Sequence, residues 1–542
     1  MRARIPTFLC LLLAPLAAHA QDPVIDTERL SDNIRILSSD EFEGRAPATP
    51  GEDRTVEFLI ARFKEAGLEP GAGDKSWTQD VTLRRIEIDG PMTMTLQADG
   101  ASATLVQGDD VAVATRRATD AVEVKDAPLV FVGYGVHAPE RDWDDFKGMD
   151  LAGKIALVLI NDPDFEVETG GRFDGKAMTY YGRWTYKYEE LARRGALGAL
   201  IIHETEPASY GWATVKNSFT GPQYTIADSE EPFLPIEAWI TLDRATEILK
   251  RAGLSFARLK EAAKRPDFKP IPLRDMTLTS SFRVKTEEVT SRNVIGRIPG
   301  AERPDETILY TAHWDHLGRG TGEGDQIFNG AVDNATGTAG LIELAHAFKA
   351  GPPPKRSIVF IALTAEEQGL LGAEHYAAHP VYPLEKTVAL INMDTLSVFG
   401  PARDMEVIGY GKSALEKILE EVATKEEIRI VRESRPEAGF FYRSDHFALA
   451  KKGVPSLYVS LGLDLVEGGV EAGRKASEQY IAERYHQPGD EWSADWDLGG
   501  AAQELRVLYG VGRRLADSAD WPEWNDSAEF KAARDKSADQ RR

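Results

Sequence analysis

The chain has 542 residues, 42% of them hydrophobic and 28% charged, with a formal net charge of -23 at pH 7. That length predicts more than one domain, and the apolar content is enough for large cores. The acidic balance excludes a general affinity for nucleic acid or anionic membrane surfaces; it suits solubility, and it favours cationic partners such as peptides with a free amino terminus.

The first residues, MRARIPTFLCLLLAPLAAHA, place Arg2 and Arg4 before a short apolar run that ends in the small-x-small site Ala18-His19-Ala20. This pattern predicts a secretory signal peptide over 1–20, too short for a membrane span. The single cysteine, Cys10, falls inside it, and Leu9 stands where a lipobox needs a small residue. The exported chain then has no disulfides. No later run approaches ~20 apolar residues, so no membrane anchor is expected in the mature chain. The expected location is the periplasm or the medium.

Residues 27–68 carry helical apolar stripes: Leu30, Ile34, Ile36 and Leu37, then Val56, Leu59, Ile60 and Phe63 from Asp53 to Ala66, with Gly67 as a C-terminal cap. After about residue 80 the pattern turns to strands, in MTMTLQA, ATLVQG and PLVFVGYGV. Leu129–Val132, Ile155–Ile160 and ALGALIIH read as buried strands, and Tyr186–Arg194 as a helix. The aromatic, glycine-containing stretches Asp162–Gly182 and Tyr210–Thr225 read as loops, either facing a cleft or packing their own unit.

From Ser291 the chain alternates strands and helices: NVIGRIPG and TILYTAH, the helix Gly337–Lys349, SIVFIALTA, VALINMD, the helix Ser413–Ala423, and PSLYVSL. This predicts a three-layer α/β/α domain with a mostly parallel central sheet. The expected organisation is a discontinuous catalytic domain over 21–90 and 285–520, a β-rich α/β insert over 91–284, and a docked tail over 521–542.

Metal-ligand residue types recur at the ends of these strands. His313 follows ILYTA, Glu366 and Glu367 follow SIVFIALTA, and Asp394 ends VALINM. In open α/β sheets ligands bind at that edge. Asp333 lies in GAVDNATG, where it either bridges metals or caps the following helix, and His486 lies in YHQPGDEW. Two histidines and three carboxylates make two nitrogen/oxygen sites if one carboxylate is shared. That inventory suits a pair of zinc ions acting on a bound water. Adjacent glutamates ending a buried strand need a counter-ion. Glu367 is assigned as a ligand, and Glu366 as the base that holds the attacking water and passes its proton to the leaving amine. Asp315 is expected to accept the outer N–H of His313 through its carboxylate, or else to cap a turn. His316, His346, His375 and His379 read as packing or surface residues. His446 precedes an expected strand and can point into the cleft, and the Tyr442 phenol either stabilises an oxyanion or packs.

The ordered set HWD, VDNATG, EEQGLLG, NMD and HQPGDEW resembles the co-catalytic di-zinc aminopeptidases of metallopeptidase family 28, clan MH. SDEFEGRAPATPGEDRTVEFLIARFKEAGLEP is similar to that family's opening, and GYGVHAPERDWDDFKGMDLAGKIALVLIND to a protease-associated domain. The resemblance implies His313 and Asp394 on one zinc, Glu367 and His486 on the other, Asp333 bridging, Glu366 as general base and Asp315 behind the ligands. It implies two Zn2+ per chain and peptide substrates with a free N-terminus. A glutamate-type carboxypeptidase on the same scaffold would need a basic pocket, for which Arg443 is the nearby candidate. Glutaminyl cyclisation uses one zinc, which the full ligand set disfavours. A non-catalytic peptide-binding protein is disfavoured by the intact Glu366 and ligands.

Overall fold

The computed structural model describes residues 25–541 except 74, 99, 169 and 321. The expected signal peptide and Cys10 lie outside the described residues. Strands Arg303–His313, Arg356–Leu363 and Thr387–Asn392 pair in parallel, and the last two are buried along their whole length. Both of their faces are covered, which is why they read as unbroken apolar runs rather than as alternation. Register places His313 beside Leu363 and Thr311 beside Asn392, so the three strands end at one edge.

Helices cover the two faces. On one side Leu30, Ile34, Leu59, Phe63, Leu341 and Leu505 join the strand residues Ile308, Phe360 and Ile391 in one core. On the other, Ala373, Tyr376 and Leu449 pack on Leu309, Val359 and Ile361. Helix Thr27–Leu37 starts where the Asp26 carboxylate accepts the N–H groups of Glu28 and Arg29. The second N-terminal helix begins earlier than its apolar stripe, at Pro50, with Thr49 accepting from the Glu52 N–H.

A second parallel group, Ala121–Phe131, Ile155–Leu159, Gly198–His203 and Ile236–Thr241, carries its own cores. Leu157 and Leu159 face one, and Ala156 and Val158 the other. Strand Ile271–Ile298 links the groups: Val294–Ile298 pairs with Arg356–Leu363, and its earlier residues pair with Ala121–Phe131. It also runs antiparallel to the long strand Thr78–Ala98, with a bulge between Ser281 and Arg283. The expected limits at 90 and 284 therefore fall inside two continuous strands shared by both units.

The helix expected at Tyr186–Arg194 spans Trp184–Arg193. The stretch Tyr210–Thr225, read as a loop, contains the helix Trp212–Phe219, because Val215 and Phe219 share a helical face that packs with Trp239. Tyr210 and Trp212 also pack on this core, but at its half-buried margin. The tail docks beyond its aromatics: Trp524 and Phe530 are buried, and Arg534 donates to the Thr387 carbonyl at 3.0 Å. Among the described residues no helix is long and apolar enough to cross a membrane.

Candidate metal centre

The parallel register carries His313, Glu366, Glu367 and Asp394 to one edge, and the turns after the strands aim them. Ala365, Thr395 and His486 hold positive φ of 53°, 64° and 55°. Non-glycine residues in that region are uncommon, and here each is a donor residue or its neighbour. Gly330 opens the Asp333 loop with φ 53°, where an added Cβ would strike the Asp333 carbonyl and the His316 ring. The Asp333–Asn334 peptide bond is cis.

Asp333 presents one oxygen to each histidine. Its Oδ1 lies 3.4 Å from His313 Nε2, and its Oδ2 lies 3.4 Å from His486 Nε2. Asp394 Oδ1 is 3.4 Å from His313 Nε2, and Glu367 Oε2 is 3.0 Å from His486 Nε2. Metal bonds of about 2.0–2.2 Å set donors in one tetrahedral shell roughly 3.3–3.6 Å apart, so most of these spacings fit a shared cation. Among the described residues, two overlapping groups could hold a metal ion: His313, Asp333 and Asp394; and His316, Asp333 and Glu367. Beside the second group His486 is a better placed donor than His316, since its Nε2 faces both Asp333 and Glu367. His316 Nδ1 instead contacts the outer oxygen of Glu367, Oε1, at 2.6 Å, and orients it.

Charge within the cluster is polarised. Burial opposes protonation of His313, but Glu366, Asp333 and Asp394 carry its pKa well above the ordinary value. Burial likewise opposes charge on His486, which Glu367 and Asp333 raise to about 10. The two adjacent glutamates diverge. Burial, reinforced by Asp394 and Glu367, pushes Glu366 well above the carboxylate range. For Glu367 burial is overcome by His486, and its pKa falls to about 2. Glu366 Oε2 stands 4.0 Å from His313 Nε2 and takes no part in the closer contacts.

Surrounding groups fix this arrangement. The Asp315 carboxylate does not take the His313 N–H: Nδ1 lies 3.1 Å from the Asp315 backbone oxygen and 3.8 Å from its Oδ1. The turn after the strand brings the carbonyl back under the ring, and the carboxylate accepts the backbone N–H of Glu366 at 3.0 Å and of Glu367 at 3.4 Å. Asp490, from the His486 loop, accepts the N–H groups of Val332 and Asp333. Buried Arg45 donates to the carbonyls of Leu37, Trp314, Asn329 and Gly330 at 2.6–2.9 Å, tying the loops of His313 and Asp333. The insert reaches the centre as well, with Ser218 Oγ 2.9 Å from His486 Nδ1.

A cavity of about 380 Å³ opens on Asp333, Glu366, Glu367, Asp394 and His486. Tyr442 lines it, but its hydroxyl donates to Glu529 of the tail at 3.0 Å and its ring packs on Tyr180 and Phe447. His446 is not among the lining residues. It begins the helix His446–Lys451, ahead of the expected strand at Ser456–Leu461, and lies fully buried against Phe441 and Tyr458. Two phenols not singled out from sequence stand nearer: Tyr458 donates to the Asp394 carbonyl at 3.2 Å, and Tyr485 stacks on His486 at 4.0 Å. Tyr485 directly precedes a candidate ligand, which is the one sequence signal that marked it.

Residues 293–509 match the family described as Peptidase family M28. Aminopeptidase NAALADL1 of Mus musculus is 26% identical over 70% of this chain and 54% of its own length. A glutamate carboxypeptidase 2 homolog of Caenorhabditis briggsae is 36% identical over 69% of this chain and 51% of its own. The chain thus spans about half the length of these curated relatives. Among solved structures, an aminopeptidase from Aneurinibacillus sp. strain AM-1 superposes with a TM-score of 0.53 at 19% identity, covering 92% of this chain and 95% of that one. BSAP, a zinc aminopeptidase from Bacillus subtilis, gives 0.50 at 18% identity, covering 94% and 98%. These two share the fold.

Proposed function

Through residues 293–509 the chain belongs to peptidase family M28, and from that premise we propose that it is an exported zinc aminopeptidase that removes N-terminal residues from peptides. What carries the reading is Asp333, whose two oxygens face His313 and His486, with Asp394 and Glu367 flanking and Glu366 standing apart. This donor set suits two zinc ions sharing one carboxylate. Zinc bound there would polarise the scissile carbonyl and acidify the attacking water.

The side chains divide the remaining work. Glu366, buried and proton-seeking, takes the proton from the attacking water and returns it to the leaving amine. Glu367 stays anionic and is held by His316. Asp394, which lines the cavity beside Glu366, gives it negative charge that draws a free amino terminus. The apolar residues Phe399, Leu463 and Ile481 on the same cavity supply surface for a side chain. The insert, whose sequence resembles a protease-associated domain, closes the other side.

A carboxypeptidase of the same family is the second reading, and the observation favouring it is that Arg443 lines the cavity. Curated relatives bear both kinds of name. Metal analysis together with a panel of aminoacyl anilides, N-blocked peptides and C-terminal reporter peptides decides between them. About two zinc ions per chain, with cleavage only of free amino termini, is the expected result. Cleavage only from the carboxyl end would replace the aminopeptidase reading.

A further inference from the structure

The tail is anchored on both sides of Phe530 in sequence. Before it, the Trp524 ring N–H donates to the Gly453 carbonyl at 3.0 Å, and the Asn525 N–H to the Lys412 carbonyl at 2.8 Å. After it, Arg534 donates to the Thr387 carbonyl. Held this way, Phe530 stacks on Phe441 with ring centres 5.7 Å apart and meets Phe447 edge-on at 6.2 Å. Phe447 and Tyr442, whose ring centres are 5.3 Å apart, line the cavity that opens on the metal centre. The tail thus backs an aromatic wall of that cavity.

Glu529, next to Phe530, reaches the same wall with a polar bond. Its Oε1 accepts the Tyr442 hydroxyl at 3.0 Å and Lys412 Nζ at 3.1 Å, and its Oε2 accepts Lys412 Nζ at 2.9 Å. Lys412 lies 4.9 Å from the Phe441 ring centre and holds the carboxylate toward the phenol. Burial and the Glu529 charge keep the Tyr442 pKa well above the ordinary phenol value, so the phenol retains its proton. A phenol has one proton to donate, and lone pairs that accept. With that proton committed to a carboxylate, the oxygen has only lone pairs left for a substrate. It is then set to accept rather than to donate to an oxyanion. Peptides offer matching donors in their backbone N–H groups and their free ammonium.

We propose that Glu529 is a positioning residue that sets Tyr442 as a hydrogen-bond acceptor for substrate N–H groups, which makes the tail part of the substrate-binding wall. A bond of this kind contributes to binding throughout the reaction, so its loss acts on KM more than on kcat. The proposal rests on the exopeptidase reading for its substrate class.

The test measures KM and kcat of zinc-loaded wild type, Glu529→Ala, Glu529→Gln and Tyr442→Phe on Leu-p-nitroanilide and Leu-Ala-Ala-amide. Glu529→Ala and Tyr442→Phe are each expected to raise KM for the tripeptide amide by about five- to tenfold, the scale of one hydrogen bond, while kcat moves far less. Glu529→Gln, whose amide oxygen still accepts the phenol proton, is expected to recover most of the loss. Combining Glu529→Ala with Tyr442→Phe is expected to match either single variant, because both act through one bond. A KM rise on the anilide as well assigns the donor to the free ammonium, and a rise confined to the tripeptide amide assigns it to a backbone N–H beyond the scissile bond. Zinc content and melting curves establish that each variant is folded. Wild-type KM on both substrates in Glu529→Ala overturns the proposal, as does a fall in kcat without a change in KM, or KM effects that multiply in the double variant. If wild type hydrolyses neither substrate, the exopeptidase reading fails instead, and calorimetric binding of the tripeptide amide to the same proteins tests Glu529 by the same ratios.

Discussion

The Ser218 hydroxyl oxygen lies 2.9 Å from Nδ1 of His486, across 268 positions of sequence. Ser218 donates its own hydrogen to the Thr214 carbonyl at 2.9 Å, which leaves its oxygen free to accept the His486 Nδ1–H. That sets the tautomer that directs the Nε2 lone pair at the space between Asp333 and Glu367. Asn217 adds a bond to the His486 carbonyl at 2.9 Å. Ser218→Ala is expected to weaken zinc binding about tenfold while the fold is kept. Titration against a competing chelator measures it, and unchanged affinity would remove the insert from the metal site.

Glu366→Gln separates metal binding from turnover. Its side chain is outside the closest donor contacts, so zinc content is expected to stay at the wild-type level. Turnover is expected to fall about 10²–10⁴-fold, as loss of a positioned proton carrier does. His486→Ala is expected to do the reverse first, lowering zinc content. Metal analysis and activity on the same samples check both, and an active, zinc-replete Glu366→Gln would shift the base to another group.

Arg45 is expected to matter for both stability and metal affinity. Its guanidinium serves carbonyls from three separate segments, at Leu37, Trp314 and Asn329–Gly330. A lysine ammonium is compact and cannot reach them together. Arg45→Lys is expected to cost about 2–4 kcal/mol, the scale of losing bonds to buried polar groups. Urea denaturation reads the stability, and zinc titration reads the loosened Asp333 loop. A change under 0.5 kcal/mol, the ordinary scale of surface substitutions, would show that the carbonyls find other partners.

The sequence made the strand-borne groups visible because a buried parallel strand ends abruptly in polar residues, as at His313, Glu366 and Asp394. Distant partners left no such mark. His316 sits in the same HWDH stretch as His313, yet its role depends on Glu367 reaching back across the sheet edge. Ser218 lies on a helix that aromatic composition disguised as a loop. Asp315 was legible as a supporting carboxylate, but which N–H it takes is decided by a backbone turn that spacing alone does not define. For His446 the place just before an expected strand suggested the cleft, whereas the helix it begins directs the ring into the core.

Glu504 gives a pH prediction away from the metal centre. It lies on helix Gly499–Asp517, is 1% exposed, and forms no ion pair among the described residues. Burial raises its pKa from 4.5 to about 8, against the pull of the Leu461 and Ser397 backbone groups. The folded chain therefore binds one more proton than the unfolded chain between those values. Stability from this group is complete below pH 4.5, declines as pH rises, and is fully lost above about 8. Glu504→Gln cannot ionise, so its stability relative to wild type is expected to grow steadily from pH 5 to pH 8, by on the order of 1 kcal/mol or more. Chemical denaturation at several pH values between these limits measures the difference. A constant difference across the window would mean that Glu504 is ionised in the folded chain.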